Sequence, residues 1–214
     1  MTSCPIDGGH PTGRRPGRQE PVRALLTVHH VSEYHSLGDF KAAFYKTLAA
    51  DADAPALWKE KGDDWRRLVA ESLAQGGRAE FPGLRVSERG QGDDDNLADD
   101  LAVEVVGTLE PGWAPPVVIA DHEPSLQREQ LQRRAWKLLS IEARRRVLVC
   151  YWADAPGRPR GSVRSLPEVQ ALVKQVARAL PRRDLYVLAA PFAGNARKRT
   201  EVPKLFDSHI VGVW

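Results

Sequence analysis

The sequence predicts an α/β fold: one mixed β-sheet with helices on both faces. Three observations lead there. Apolar residues fill 42% of the 214 positions, enough for a sizeable core. From residue 63 onward, segments of helical and of strand periodicity follow one another. Two strand segments, 117–120 and 147–152, are continuously apolar, as expected of strands covered on both sides.

Residues 1–20, rich in Gly, Pro and Arg, are expected to form a flexible tail, with a single domain over 21–214 and its core over 63–190. A strand or short buried element is expected at 22–31. A helix follows over 36–50, where Ser36 and Asp39 have capping-box spacing and Phe40, Ala43, Phe44 and Leu48 recur at helical intervals. A short helix fits 54–62. The helix over 63–77 places Asp63 and Asp64 at its positive end, Trp65, Leu68, Val69 and Leu73 on its apolar face, and Gly76-Gly77 as its stop.

The period then changes. Segments 81–90 and 100–109 alternate like strands around an acidic loop, and 115–123 is a third strand. A helix over 125–143 has Ser125 as N-cap and Leu131, Ala135, Leu138 and Leu139 as core face. Strand 145–152 leads to a helix over 165–180, opened by a Ser165/Glu168 capping box and striped by Val169, Leu172, Val173, Val176 and Leu180. Strands at 184–192 and 209–214 close the chain. Strands joined by helices imply parallel pairing, and strands joined by loops imply antiparallel pairing, hence the mixed sheet.

Several function classes lack their signatures. No G-x-S-x-G, P-loop or G-x-G-x-x-G occurs. No apolar run approaches the ~18 residues of a membrane helix, and no secretory leader is read at the start. The two cysteines, Cys4 in the tail and Cys150 in an apolar strand, are not expected to pair, which suits a reduced, cytoplasmic setting. His29, His30 and His35 cluster without the further ligands that zinc needs. Trp65, Trp136 and Trp152 lie on elements with apolar stripes and are expected at core and rim. A net charge of +3 permits an acidic partner such as nucleic acid without requiring one. Arg clusters at 133–134 and 144–146 are expected on solvated faces. Arg197, Lys198 and Arg199, in a long basic loop, are the candidate phosphate contacts.

The chemistry concentrates where the third strand ends in Asp121-His122-Glu123. Side chains alternate along a strand, so Asp121 and Glu123 share one side, about 6–7 Å apart, and His122 takes the other. Two such carboxylates can share a hard cation. Asp100, at the start of the preceding strand segment, would approach them if the two strands form an antiparallel hairpin. Glu104 lies on the same side as Asp100 and is a weaker candidate. A divalent ion held there can activate water and neutralise charge on a phosphate.

The helix carrying Glu71, the acid Asp100 leading one strand and the Asp121/Glu123 pair ending the next resemble the PD-(D/E)xK nucleases, the restriction-endonuclease-like proteins. The run 133–152 resembles the helix and strand that complete their core. The resemblance implies an α-β-β-β-α-β core and Mg²⁺- or Mn²⁺-dependent hydrolysis of phosphodiester bonds in DNA or RNA, in restriction, repair or defence. Asp100, Asp121 and Glu123 would be metal ligands, and Glu71 an accessory acid. The lysine usual in that pattern is replaced by Glu123, and Lys137 on the next helix is the candidate substitute. The missing lysine leaves an alternative: a non-catalytic nuclease-like binding or assembly module, as a homodimer or within a larger complex.

Overall fold

Helix α1 (Gly38–Ala50) buries Phe40, Phe44 and Leu48 of the stripe read from the sequence, and Ala43 is half-buried. Its N-cap is Leu37 without a side-chain hydrogen bond, and Ser36 of the expected capping box lies outside the described residues. Helix α2 (Ala54–Glu60) starts with a proline in its first turn, inserts Trp58 into the core, and ends at Lys61 in the left-handed region. Helix α3 (Asp63–Glu80) buries Trp65, Leu68, Val69 and Leu73 as expected but runs through Gly76-Gly77 instead of stopping there. Packing explains the difference. A Cβ at Gly76 would stand 2.9 Å from the Phe40 ring, and one at Gly77 would stand 3.0 Å from Leu84. The glycines let α3 approach its neighbours closely, which outweighs their poor helix propensity of about 1 kcal/mol each.

The computed structural model describes residues 37–90, 97–109, 115–153, 160–180, 183–192 and 194–211; of Asp100 and of 208–211 only the backbone is described. The expected tail, the strand at 22–31, Cys4 and the histidines 29, 30 and 35 lie outside these residues.

Strands β1 (Arg85–Glu88), β2 (Val105–Thr108) and β3 (Val118–Glu123) form an antiparallel meander. The first two are shorter than their sequence segments, and a short helix α4 (Leu97–Asp100) occupies the expected start of the second. Helix α5 (Arg128–Ser140) crosses to β4 (Arg145–Trp152), and α6 (Leu166–Ala177) crosses to β5 (Leu185–Pro191). Both crossovers join parallel neighbours. After a 3-10 turn at Pro203–Leu205, β6 (Asp207–Val211) returns antiparallel along the edge. The six strands lie in chain order.

The sheet separates two cores. Val118, Ala120, Val147, Val149 and Leu188 pack against the residues of α1, α2 and α3. The alternate residues, Ile119, Leu148, Cys150, Val187 and Ala189, pack against α5 and α6. Helices therefore cover both faces of a mixed sheet. Helix α5 buries Leu131, Ala135, Leu138 and Leu139, although Gln127 rather than Ser125 is its N-cap. The Ser165 hydroxyl does accept from the Glu168 amide at the start of α6. Arg145 and Arg146, expected on a solvated face, are buried; Arg145 Nε donates to Glu80 at 2.9 Å, tying β4 to the end of α3. Among the described residues no helix is long and apolar enough to cross a membrane.

Candidate functional site at the end of strand β3

All six residues of β3 are buried, including its acidic end. Alternation sends Asp121 and Glu123 toward α5 and His122 toward α3, as the sequence predicts. The apolar stripe of α5 holds that helix against the sheet. Arg134 and Lys137, three residues apart, flank the stripe on the side that overhangs β3.

Arg134 joins the two acids. Its Nη1 donates to Asp121 Oδ2 at 3.0 Å and its Nε to Glu123 Oε2 at 3.2 Å. Lys137 Nζ lies 3.4 Å from the same Asp121 oxygen and also donates to the Ala102 carbonyl. Ala102 has φ 50°. That left-handed turn, costly for a residue with a Cβ, lies just ahead of β2, and its carbonyl serves the amine. The remaining carboxylate oxygens are also occupied. Asp121 Oδ1 accepts from the His122 amide at 3.0 Å, and Glu123 Oε1 accepts from the Ser125 amide at 2.7 Å.

Extending the β2–β3 register by one pair sets Glu104 opposite Asp121, and the Glu104 amide donates to the Ala120 carbonyl at 3.1 Å. Glu104 is buried, and Arg66 of α3 donates to its carboxylate through Nε at 2.8 Å. Three acids and three cations thus meet at one end of the sheet.

The electrostatics follow from burial. Desolvation raises the Asp121 carboxyl above its ordinary value, against the pull of Arg134 and Lys137, and Glu104 adds to the rise. Burial lowers the Lys137 amine, with Asp121 opposing the shift. Burial also works against the Arg134 charge, but Asp121 and Glu123 outweigh it and raise the guanidinium. On the opposite face, His122 Nε2 lies 2.8 Å from the Tyr151 hydroxyl, which accepts from Trp65 Nε1 at 2.6 Å. Burial, seconded by Arg66 and Arg134, pushes that imidazole down to about 3.

The expected site residues are only partly brought together. Asp121, Glu123 and Lys137 meet. Asp100 does not lead a strand: it ends α4, while β2 begins at Val105, so the hairpin sets Glu104 rather than Asp100 across from Asp121. Glu71 is exposed on α3 and acts electrostatically on Glu88 of β1; Arg66 is the α3 residue that reaches the acids. Arg197, Lys198 and Arg199 are exposed, and Glu201 accepts from the amides of the first two. Among the described residues no hydrogen bond or ion pair links those three side chains to the acids.

A cleft of ≈ 340 Å³ opens beside Asp121, lined by Arg89, Ala102, Gln130, Arg133, Arg134 and Lys137. Arg89 also borders a neighbouring cleft of ≈ 470 Å³ that includes Arg66 and Glu104. Arg89 was not singled out from sequence, and Arg134, expected with Arg133 on a solvated face, is half-buried over the acids. The available signal for Arg134 was its place one turn before Lys137, at the margin of an apolar stripe.

Carboxylates suit a hard divalent ion in kind. In their observed arrangement they do not fit one. Each oxygen of Asp121 and Glu123 already receives a donor, Glu104 is held by Arg66, and among the described residues no three His, Cys, Asp or Glu side chains are grouped to hold an ion. The Arg134 guanidinium bridges the two acids as a shared cation would.

Comparison with protein-family models, with curated proteins and with solved structures finds no match to this chain.

Proposed function

We propose that the chain is a nuclease-like module that binds the phosphodiester backbone of nucleic acid at the open end of β3. The observation that carries this reading is Arg134 bridging Asp121 and Glu123 at 3.0 and 3.2 Å, beside a cleft that Arg89, Arg133 and Lys137 also line. The acids neutralise part of the cationic wall and orient it, while the outward cations remain to meet phosphate oxygens. The order α3, β1, β2, β3, α5, β4, interrupted by the short α4 between β1 and β2, with α3 and α5 on opposite faces, supports the restriction-endonuclease-like core that the sequence resembles.

A second reading, phosphodiester hydrolysis with Mg²⁺ or Mn²⁺, would require Arg134 to release Asp121 and Glu123 to the ion, and it is favoured by one observation. Lys137 Nζ stands 3.4 Å from Asp121, so the helix supplies an amine where the strand pattern lacks its lysine. Burial lowers that amine, which brings it nearer the neutral form useful for proton transfer.

One experiment separates the two. Labelled single-stranded DNA, duplex DNA and RNA are incubated with the protein in EDTA, Mg²⁺ or Mn²⁺, and both retention and cutting are followed. The binding module retains nucleic acid in EDTA, with affinity that falls as salt rises, and leaves it intact throughout. Divalent-dependent cutting that disappears in Asp121→Asn establishes the second reading. Failure to retain any nucleic acid at low salt, with no cutting, overturns both.

A further inference from the structure

Trp136 was expected at the core or rim, yet it is 54% exposed. The α5 stripe explains its position: Leu131, Ala135, Leu138 and Leu139 take the buried side, and Trp136, one residue after Ala135, is turned away from it. Among the described residues Leu109 and Trp136 are the large apolar side chains left exposed. An indole in water leaves a large apolar face uncovered, and the residue one turn before it on α5 is a cation. Arg133, exposed one turn earlier, lines the cleft beside Asp121 together with Arg89 and Lys137.

We propose that Trp136 and this cleft form one surface for unpaired nucleic acid, the indole stacking on a base while Arg89, Arg133 and Lys137 take the adjoining phosphate. The proposal rests on the backbone-binding reading above and names the substrate class. Arg133 and Trp136 are about 4.5 Å apart along the helix axis, within the span of one nucleotide. Base faces are enclosed in a duplex and open in a single strand, so an exposed ring one turn from a cleft-lining arginine selects the unpaired form. Arg134 is already spent on Asp121 and Glu123. Arg89 reaches Asp99 only at 4.0 Å, so it is weakly committed to that acid.

The test is fluorescence anisotropy with labelled single-stranded DNA and RNA and the matching duplexes, accompanied by light scattering. Wild type should prefer the single strands. Trp136→Ala should weaken single-strand binding about tenfold with little effect on duplex, and Trp136→Phe should retain most of the affinity. Arg133→Ala should weaken both forms and reduce the salt slope by about one. If Trp136→Ala leaves single-strand affinity unchanged while Arg133→Ala lowers it, the stacking assignment falls and backbone binding stands. If wild type binds neither form, both fall. If Trp136→Ala instead turns a dimer into a monomer without changing nucleic-acid binding, the indole belongs to a contact between copies of this chain and the proposal is overturned. Circular dichroism of each variant checks that exposed positions were changed without unfolding.

Discussion

The last three residues of β3 present two opposite solutions to one problem. On the side facing α3, His122 meets Tyr151, which in turn holds Trp65 and Trp58, and burial keeps the imidazole's pKa down to about 3; its Nδ1 has no hydrogen-bond partner among the described residues. On the side facing α5, Asp121 and Glu123 are equally buried and are matched with cations. Burial disfavours charge on both sides. The histidine responds by giving up its proton, and no counter-charge is needed. The acids import one. That second solution concentrates dependence on a single side chain, because among the described residues Arg134 alone is ion-paired with both carboxylates.

Removing Arg134 is therefore the most damaging single change at this end of the sheet. Arg134→Met keeps the apolar stem against α5 but leaves two buried carboxylates with Lys137 as their remaining cation. The expected loss is about 3–5 kcal/mol in urea unfolding, the range for breaking a buried pair by removing one partner. Part of the loss should return on adding Mg²⁺ or Mn²⁺, more than in wild type, because the two acids are then offered together. A loss below about 1 kcal/mol would mean that the acids do not depend on the guanidinium, and the contrast drawn above would not hold.

The neutral side is tested by acid. In the unfolded chain the imidazole charges near 6.5, whereas the fold holds it down to about 3. Its contribution to stability is complete above 6.5 and is lost as the pH falls from there toward 3, at about 1.4 kcal/mol per pH unit. His122→Gln removes that titration. Urea midpoints from pH 7 down to about 4 should fall less steeply in the variant than in wild type. Parallel curves would show that His122 accepts a proton inside the fold, making the two faces alike.

Much of this arrangement was legible in the sequence because it follows from short-range periodicity. The two-residue period assigned Asp121 and Glu123 to one face and His122 to the other, and the α5 stripe of Leu131, Ala135, Leu138 and Leu139 was read correctly. The β2–β3 hairpin was foreseen, but its register was not, so Asp100 was expected where Glu104 lies. Register depends on turn geometry and on which side chains fit across the sheet. The misplaced stop at Gly76-Gly77 has a similar origin: the glycines answer to Phe40 and Leu84, contacts that no local pattern announces. Arg134 was expected on a solvated face for the same reason. A charged residue at the edge of a stripe looks like surface until the strand beneath it turns out to end in acids.

Lys137 sharpens the comparison from within the charged side. Its side chain is 23% exposed, as is that of Arg134, so burial does not distinguish the two cations. Their bonds do. Arg134 reaches two acids at 3.0 and 3.2 Å, whereas Lys137 reaches one at 3.4 Å, and that oxygen is already served. Lys137→Gln keeps a polar donor near the Ala102 carbonyl and should cost less than about 1 kcal/mol, the range of a marginal ion pair. Its effect on nucleic-acid binding should be much larger relative to that cost, since the amine lines the cleft. On the binding reading proposed above, a side chain that stability barely needs, placed among cations that stability does need, is one held for a ligand. If Lys137→Gln proves as destabilising as Arg134→Met, the amine is a brace like its neighbour, and the proposed phosphate contact at Lys137 falls.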